Sequence, residues 1–178
     1  MNTTELLKGT AQRIITFASN TEHGSKTWDE QPSAPEGGYT NHAGFVLMGD
    51  IESYADIALI NNEQATIRAR LAKVTDTGDN ERFFIITLDF SADTSSVKEA
   101  IKNHSNISEK TLLDILNEEK TVPKLIHVSY EAGRDSNNNP LGIRYEYSTD
   151  QILSLSAEEE EELVRALNLT FDSIMKER

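Results

Sequence analysis

The chain is 178 residues long, contains no cysteine, and sets 30 acidic against 17 basic side chains for a formal net charge of -13. That length suits a single domain, residues 1-178, able to bury about two-thirds of the surface its unfolded form would expose. Without cysteine there are no disulfides, thiolate metal sites or cysteine nucleophiles, and with this acidity direct binding to duplex nucleic acid lacks the clustered Lys and Arg it needs.

Residues 1-8 hold no basic leader ahead of an apolar core. No apolar run approaches the roughly 20 residues of a membrane span, so a cytoplasmic protein is expected. Residues 4-19 place Leu6, Leu7, Ile14, Ile15 and Ala18 at helical spacing, with Thr3 or Thr4 as N-cap. Residues 20-43 then collapse into Gly, Pro, Ser and charge, which predicts a long loop carrying the only tryptophan, Trp28. Loops of more than about 12-15 residues are uncommon in compact domains unless functional or disordered.

Segments 44-52, 55-60, 65-74 and 82-90 read as strands, with hairpin signals at Asn61-Asn62 and Thr77-Gly78-Asp79-Asn80. Alternation in the third predicts Ile67, Ala69, Leu71 and Val74 inward and Arg68, Arg70 and Lys73 toward solvent. Ser96 with Glu99 suggests a capping box for a helix over 97-103, and Ser108 a cap for one holding Leu112, Leu113, Ile115 and Leu116. A hairpin follows, 124-130 with 142-148, across a polar linker expected to be mobile at its tip. Finally Ser156 and Glu159 open an amphipathic helix with the stripe Leu163, Val164, Leu167, Phe171, Ile174 and Met175. Its early carboxylates, Glu158 to Glu162, suit the positive end of the helix dipole. Together these predict an α+β fold: a mostly antiparallel sheet of about five to six strands packed by an N-terminal helix, a central short helix pair and a long C-terminal amphipathic helix.

No Gly-x-Ser-x-Gly elbow, phosphate-binding glycine loop or dinucleotide fingerprint occurs. Asp50 and Glu52, two apart on a predicted strand, share a face as surface carboxylates commonly do, and Asp76-Thr-Gly78-Asp79-Asn80-Glu81 lacks the spacing of a 12-residue calcium loop and sits between two strands, so no metal and no cofactor is expected. His-x-Ser occurs twice, as His23-Gly24-Ser25 and His127-Val128-Ser129. The pair resembles the His-x-Thr/Ser motifs of the two-histidine phosphoesterases, in which two imidazoles act as acid and base on a phosphodiester while the hydroxyls hold its oxygens. The resemblance implies a small phosphodiesterase using His23, Ser25, His127 and Ser129. His127 and Ser129 have the apolar flanks of a strand, whereas His23 and Ser25 fall in the predicted loop.

The leading expectation is a non-catalytic acidic binding protein: an inhibitor, immunity or anti-defence type of factor whose partner is a protein with a basic surface. Trp28 and Tyr39 would supply aromatic anchors within an acidic rim that includes Asp29 and Glu30. Asp50, Glu52, Asp56 and Glu63 would imitate a line of phosphates against a nucleic-acid enzyme. In size and acidity the chain resembles bacterial toxin-immunity proteins and phage-encoded nuclease inhibitors. A third reading is an accessory component of an assembly, with residues 142-148 as a self-associating sheet edge.

Overall fold

The computed structural model describes residues 2-19, 25-27, 40-48, 51-60, 63-76, 81-103 and 108-176. Within them the order is α1 (Thr3–Ser19), β1 (Ser25–Thr27), β2 (Thr40–Met48), β3 (Ile51–Ile60), β4 (Gln64–Asp76), β5 (Glu81–Ala92), α2 (Thr94–Asn103), α3 (Glu109–Leu116), β6 (Val122–Arg134), β7 (Pro140–Ser148), α4 (Thr149–Leu153) and α5 (Ala157–Lys176). The α+β class, the N-terminal helix, the short central pair and the long C-terminal helix are as expected, and α4 is an addition. Every strand pairs antiparallel with its neighbours in sequence, giving one sheet in the order β1 to β7. Six strands are long, and three-residue β1 extends the sheet inside the segment expected as loop.

The single strand expected over 44-52 is two strands. β2 ends at Met48 and β3 begins at Ile51, with Met48 opposite Ile51 across the pair. Gly49-Asp50 is a two-residue hairpin signal, masked by apolar residues on both sides of it.

The core lies on one face of the sheet. Its rows run Ile57, Ile67, Phe90; then Ala55, Ala69, Leu88, Ile126; then Leu71, Ile86, Val128. Against them pack Leu7, Ala11, Ile14 and Ile15 of α1, Leu112 and Leu116 of α3, and Leu163, Leu167 and Ile174 of α5. Each large aliphatic so buried contributes about 1.5–3 kcal/mol. Lys73, expected in solvent, is only 4% exposed. The two-residue period that buries Ile67, Ala69 and Leu71 carries Lys73 to the same face, between Ile51 and Phe84.

Local chemistry sets the helix ends. At α1 the cap is Asn2 rather than Thr3 or Thr4: its Oδ1 accepts from the Glu5 amide at 2.8 Å. α2 starts earlier than Ser96 implies, because Asp93 Oδ2 accepts from the Ser96 amide and hydroxyl at 3.4 and 3.1 Å. Ser108 caps α3 as expected, accepting from the Thr111 amide at 3.2 Å. Ser156 and Glu159 form the reciprocal box of α5, both bonds 3.1 Å.

The linker tip expected to move is instead tied. Asp135 Oδ1 accepts from the amides of Asn137 and Asn139 at 2.8 and 2.9 Å, and Asn138 takes a φ of 65°. The Asn139 amide, with that of Asn137, holds the Asp135 carboxyl below its usual range. Gly142 allows β7 to lie close under a β5 side chain, since a Cβ there would stand 2.9 Å from Phe83 Cζ.

Candidate binding surfaces

The alternate residues of the strands project from the other face, away from the described helices of the core. Register aligns Glu146, His127, Thr87, Arg70 and Tyr54 in one row, and Arg144, Ser129, Ile85, Ala72 and Glu52 in the next. His127, Ser129, Glu52 and Asp56, chosen from sequence for two different functions, therefore share this one face.

They do not form the arrangements expected of them. Asp56 is 5% exposed, so it is not one of a line of surface carboxylates. It stands opposite Arg68 in the β3–β4 pair, in the middle of the sheet. Glu52 and Glu63 are exposed, but Glu52 lies near the start of β3 and Glu63 beyond its far end, just before β4, on the order of 30 Å away along the strand direction. Trp28, Asp29, Glu30, Tyr39, Asp50 and His23 lie outside the described residues. Ser25 is in β1, in the same row as Ser129 in β6, with four strands between them. At about 4.8 Å per strand that is roughly 24 Å along the sheet. The strand order thus keeps the hydroxyl-bearing positions of the two His-x-Ser motifs apart.

Around His127 the polar groups are connected. Its Nε2 and Ser129 Oγ are 3.1 Å apart, and on the neighbouring strands Arg70 Nη1 donates to Thr87 Oγ1 at 3.1 Å. Burial, then the Arg144 and Arg70 cations, lower the imidazole below its ordinary value against the opposing pull of Glu146. Arg68 donates to both oxygens of Asp89, at 2.8 and 3.4 Å. Burial works against that guanidinium, but Asp89 and then Tyr54 outweigh it and hold it above its ordinary value. Arg144 is paired with Glu146. Among the described residues, no group of three or more His, Asp or Glu is placed to hold a metal ion.

A second surface lies where β7 turns through α4 into α5. β7 is an end strand of the sheet, and no described strand pairs with its outer edge. On its helix side Tyr145 and Tyr147 stack with ring centroids 6.5 Å apart. Burial, then Glu159, Tyr145 and Glu162, raise the Tyr147 phenol above its ordinary value, which sets the acidic start of α5 beside this edge. Glu146, Asp150, Glu158, Glu159, Glu161 and Glu162 are all exposed. Among the described residues Glu146 pairs with Arg144 and Glu161 with Arg165 at 3.8 Å; Asp150, Glu158, Glu159 and Glu162 have no ion pair. Leu153, at the end of α4, is 77% exposed, and Leu141, near the start of β7, 49%. Sequence reasoning anticipated the edge but missed α4 and Leu153, because Leu153-Ser-Leu-Ser156 shows no periodicity separating its outward leucine from its inward one.

The fold and these surfaces define a two-layer α+β protein with helices on one side of an antiparallel meander and a polar sheet face on the other. No protein-family model, curated protein or solved structure matches the chain. Among the described residues no helix is long and apolar enough to cross a membrane.

Proposed function

We propose that the protein acts without catalysis, by binding a basic segment of a partner protein along the β7 edge and the acidic start of α5. The observation that carries this reading is Leu153, a leucine 77% exposed on a short helix bordered by exposed carboxylates, of which Asp150, Glu158, Glu159 and Glu162 have no ion pair among the described residues. An exposed apolar anchor within a polar rim is the composition of a protein interface. The surrounding negative charge speeds encounter with a basic partner and rejects acidic ones. An unpaired strand edge adds main-chain donors and acceptors for an extended segment. Inhibition of the partner, or its retention in an assembly, both follow from occupying such a surface.

The test uses the tagged protein as bait in extract of its native host, beside a variant carrying Leu153→Ser with Glu158, Glu161 and Glu162 changed to Gln. Glutamine keeps the helix propensity of glutamate while removing its charge. The wild type is expected to retain a basic protein that leaves as salt rises, since exposed charges are screened beyond about 8–10 Å at physiological ionic strength. The variant is expected to lose it. Equal retention by both proteins, or no retained protein, contradicts the reading.

A further inference from the structure

On the sheet face away from the described helices, one cation meets no counterion among the described residues. Of the arginines on that face, Arg68 is bonded to Asp89, Arg144 is paired with Glu146, and Arg134 with Glu131 at 3.2 Å. Arg70 instead spends its described hydrogen bond on the neutral Thr87 hydroxyl and meets no carboxylate among the described residues. In a chain with 30 acidic against 17 basic side chains, that exception is the opposite of what composition favours. A guanidinium has five donors in a planar fork, which suits two oxygens of an oxyanion.

The groups beside it are further donors or switchable ones. Thr87 stands directly between Arg70 on β4 and His127 on β6, and cross-strand Cβ atoms are about 4.5–5.5 Å apart. Ser129, two residues beyond His127 on the same face, is 7% exposed and bonded to the imidazole. Arg70, Thr87 and His127 are half-buried, so an anion among them loses part of its water and gains from a lower effective dielectric.

We propose that Arg70, Thr87, His127 and Ser129 form a binding site for a phosphoryl group. The donors come from three adjacent strands and from both sides of the Thr87 hydroxyl, a spread that suits a tetrahedral group with several oxygens better than a flat carboxylate. Arg70 takes two oxygens, the hydroxyls turn toward the others, and His127 becomes the charged partner of a dianion. The site does not depend on His23 or on the partner surface at β7.

The experiment is a titration of the full chain followed by the His127 ring signals in two-dimensional NMR. Inorganic phosphate and ribose 5-phosphate are added in separate arms, each against chloride at matched ionic strength. The expected result is a saturable shift of His127, with its pKa higher in the bound state because a bound dianion favours imidazolium over the opposing Arg70 and Arg144. Saturation by both ligands, or by either alone, supports the site and identifies free phosphate or a phosphomonoester as its source. Arg70→Gln is expected to weaken binding about tenfold or more, and Arg70→Lys, which keeps the charge without the fork, by less. No saturable shift with either ligand, a shift equal to that in chloride, or wild-type affinity in both Arg70 variants overturns the proposal.

Discussion

Thr170 offers a substitution expected to stabilise the protein. It lies on the packed side of α5, is 0% exposed, and its Oγ1 has no hydrogen-bond partner among the described residues. A helical threonine ordinarily returns its hydroxyl to a carbonyl one turn back, and no such bond forms here. A buried hydroxyl left unpaired costs about 1–3 kcal/mol. Valine has nearly the same shape, the same branching at Cβ and a similar helix propensity, so Thr170→Val removes that cost without opening a cavity. The expected gain is about 1–2 kcal/mol. For a chain of this length that corresponds to a rise of roughly 3–5 °C in Tm, from an unfolding entropy of about 2.1 cal/mol/K per residue. Thermal melts followed by circular dichroism, with urea unfolding beside them, measure it. A Thr170→Val protein equal to or less stable than wild type would refute the reasoning, because the hydroxyl would then be satisfied within the fold.

Thr121 is the mirror case: equally buried, but donating from Oγ1 to the Ile115 carbonyl at 2.7 Å. Thr121→Val is expected to cost about 1–2 kcal/mol in urea unfolding, and a neutral result would mean that the bond contributes nothing. His127 sets a pH dependence. Because burial, with Arg144 and Arg70, lowers its folded-state pKa, the unfolded chain binds this proton more readily. Stability is therefore unaffected by His127 above its ordinary value of about 6.5 and is lost as pH falls from there through the lower folded value. Unfolding at a series of pH values is expected to show His127→Asn flatter than wild type in that window, and parallel curves would contradict the sign.

What was legible in the sequence was periodicity backed by capping chemistry. The α5 stripe with its Ser156–Glu159 box, Ser108 before α3, and the alternation of Ile67, Ala69 and Leu71 each combine a period with a local hydrogen-bond rule. Lys73 is buried against expectation because the strand's period continues whether or not the next side chain is charged. The break between β2 and β3 was hidden because the strand ends at Met48 and Ile51 fall within an apolar stretch of the sequence. The site was less legible than the fold. His127 and Ser129 were visible as a motif, but Arg70 and Thr87 join them only through strand register, which relates residues tens of positions apart. Leu153 gave no signal at all, since exposure of one leucine depends on where α4 ends.

The most direct test of the binding account is hydrogen exchange of the protein alone and saturated with the partner it retains. Protection concentrated in β7, α4 and the first turns of α5, with the core strands β4 and β5 unchanged, is the predicted result. Protection elsewhere on the molecule, with those three elements exchanging as in the free protein, would contradict it.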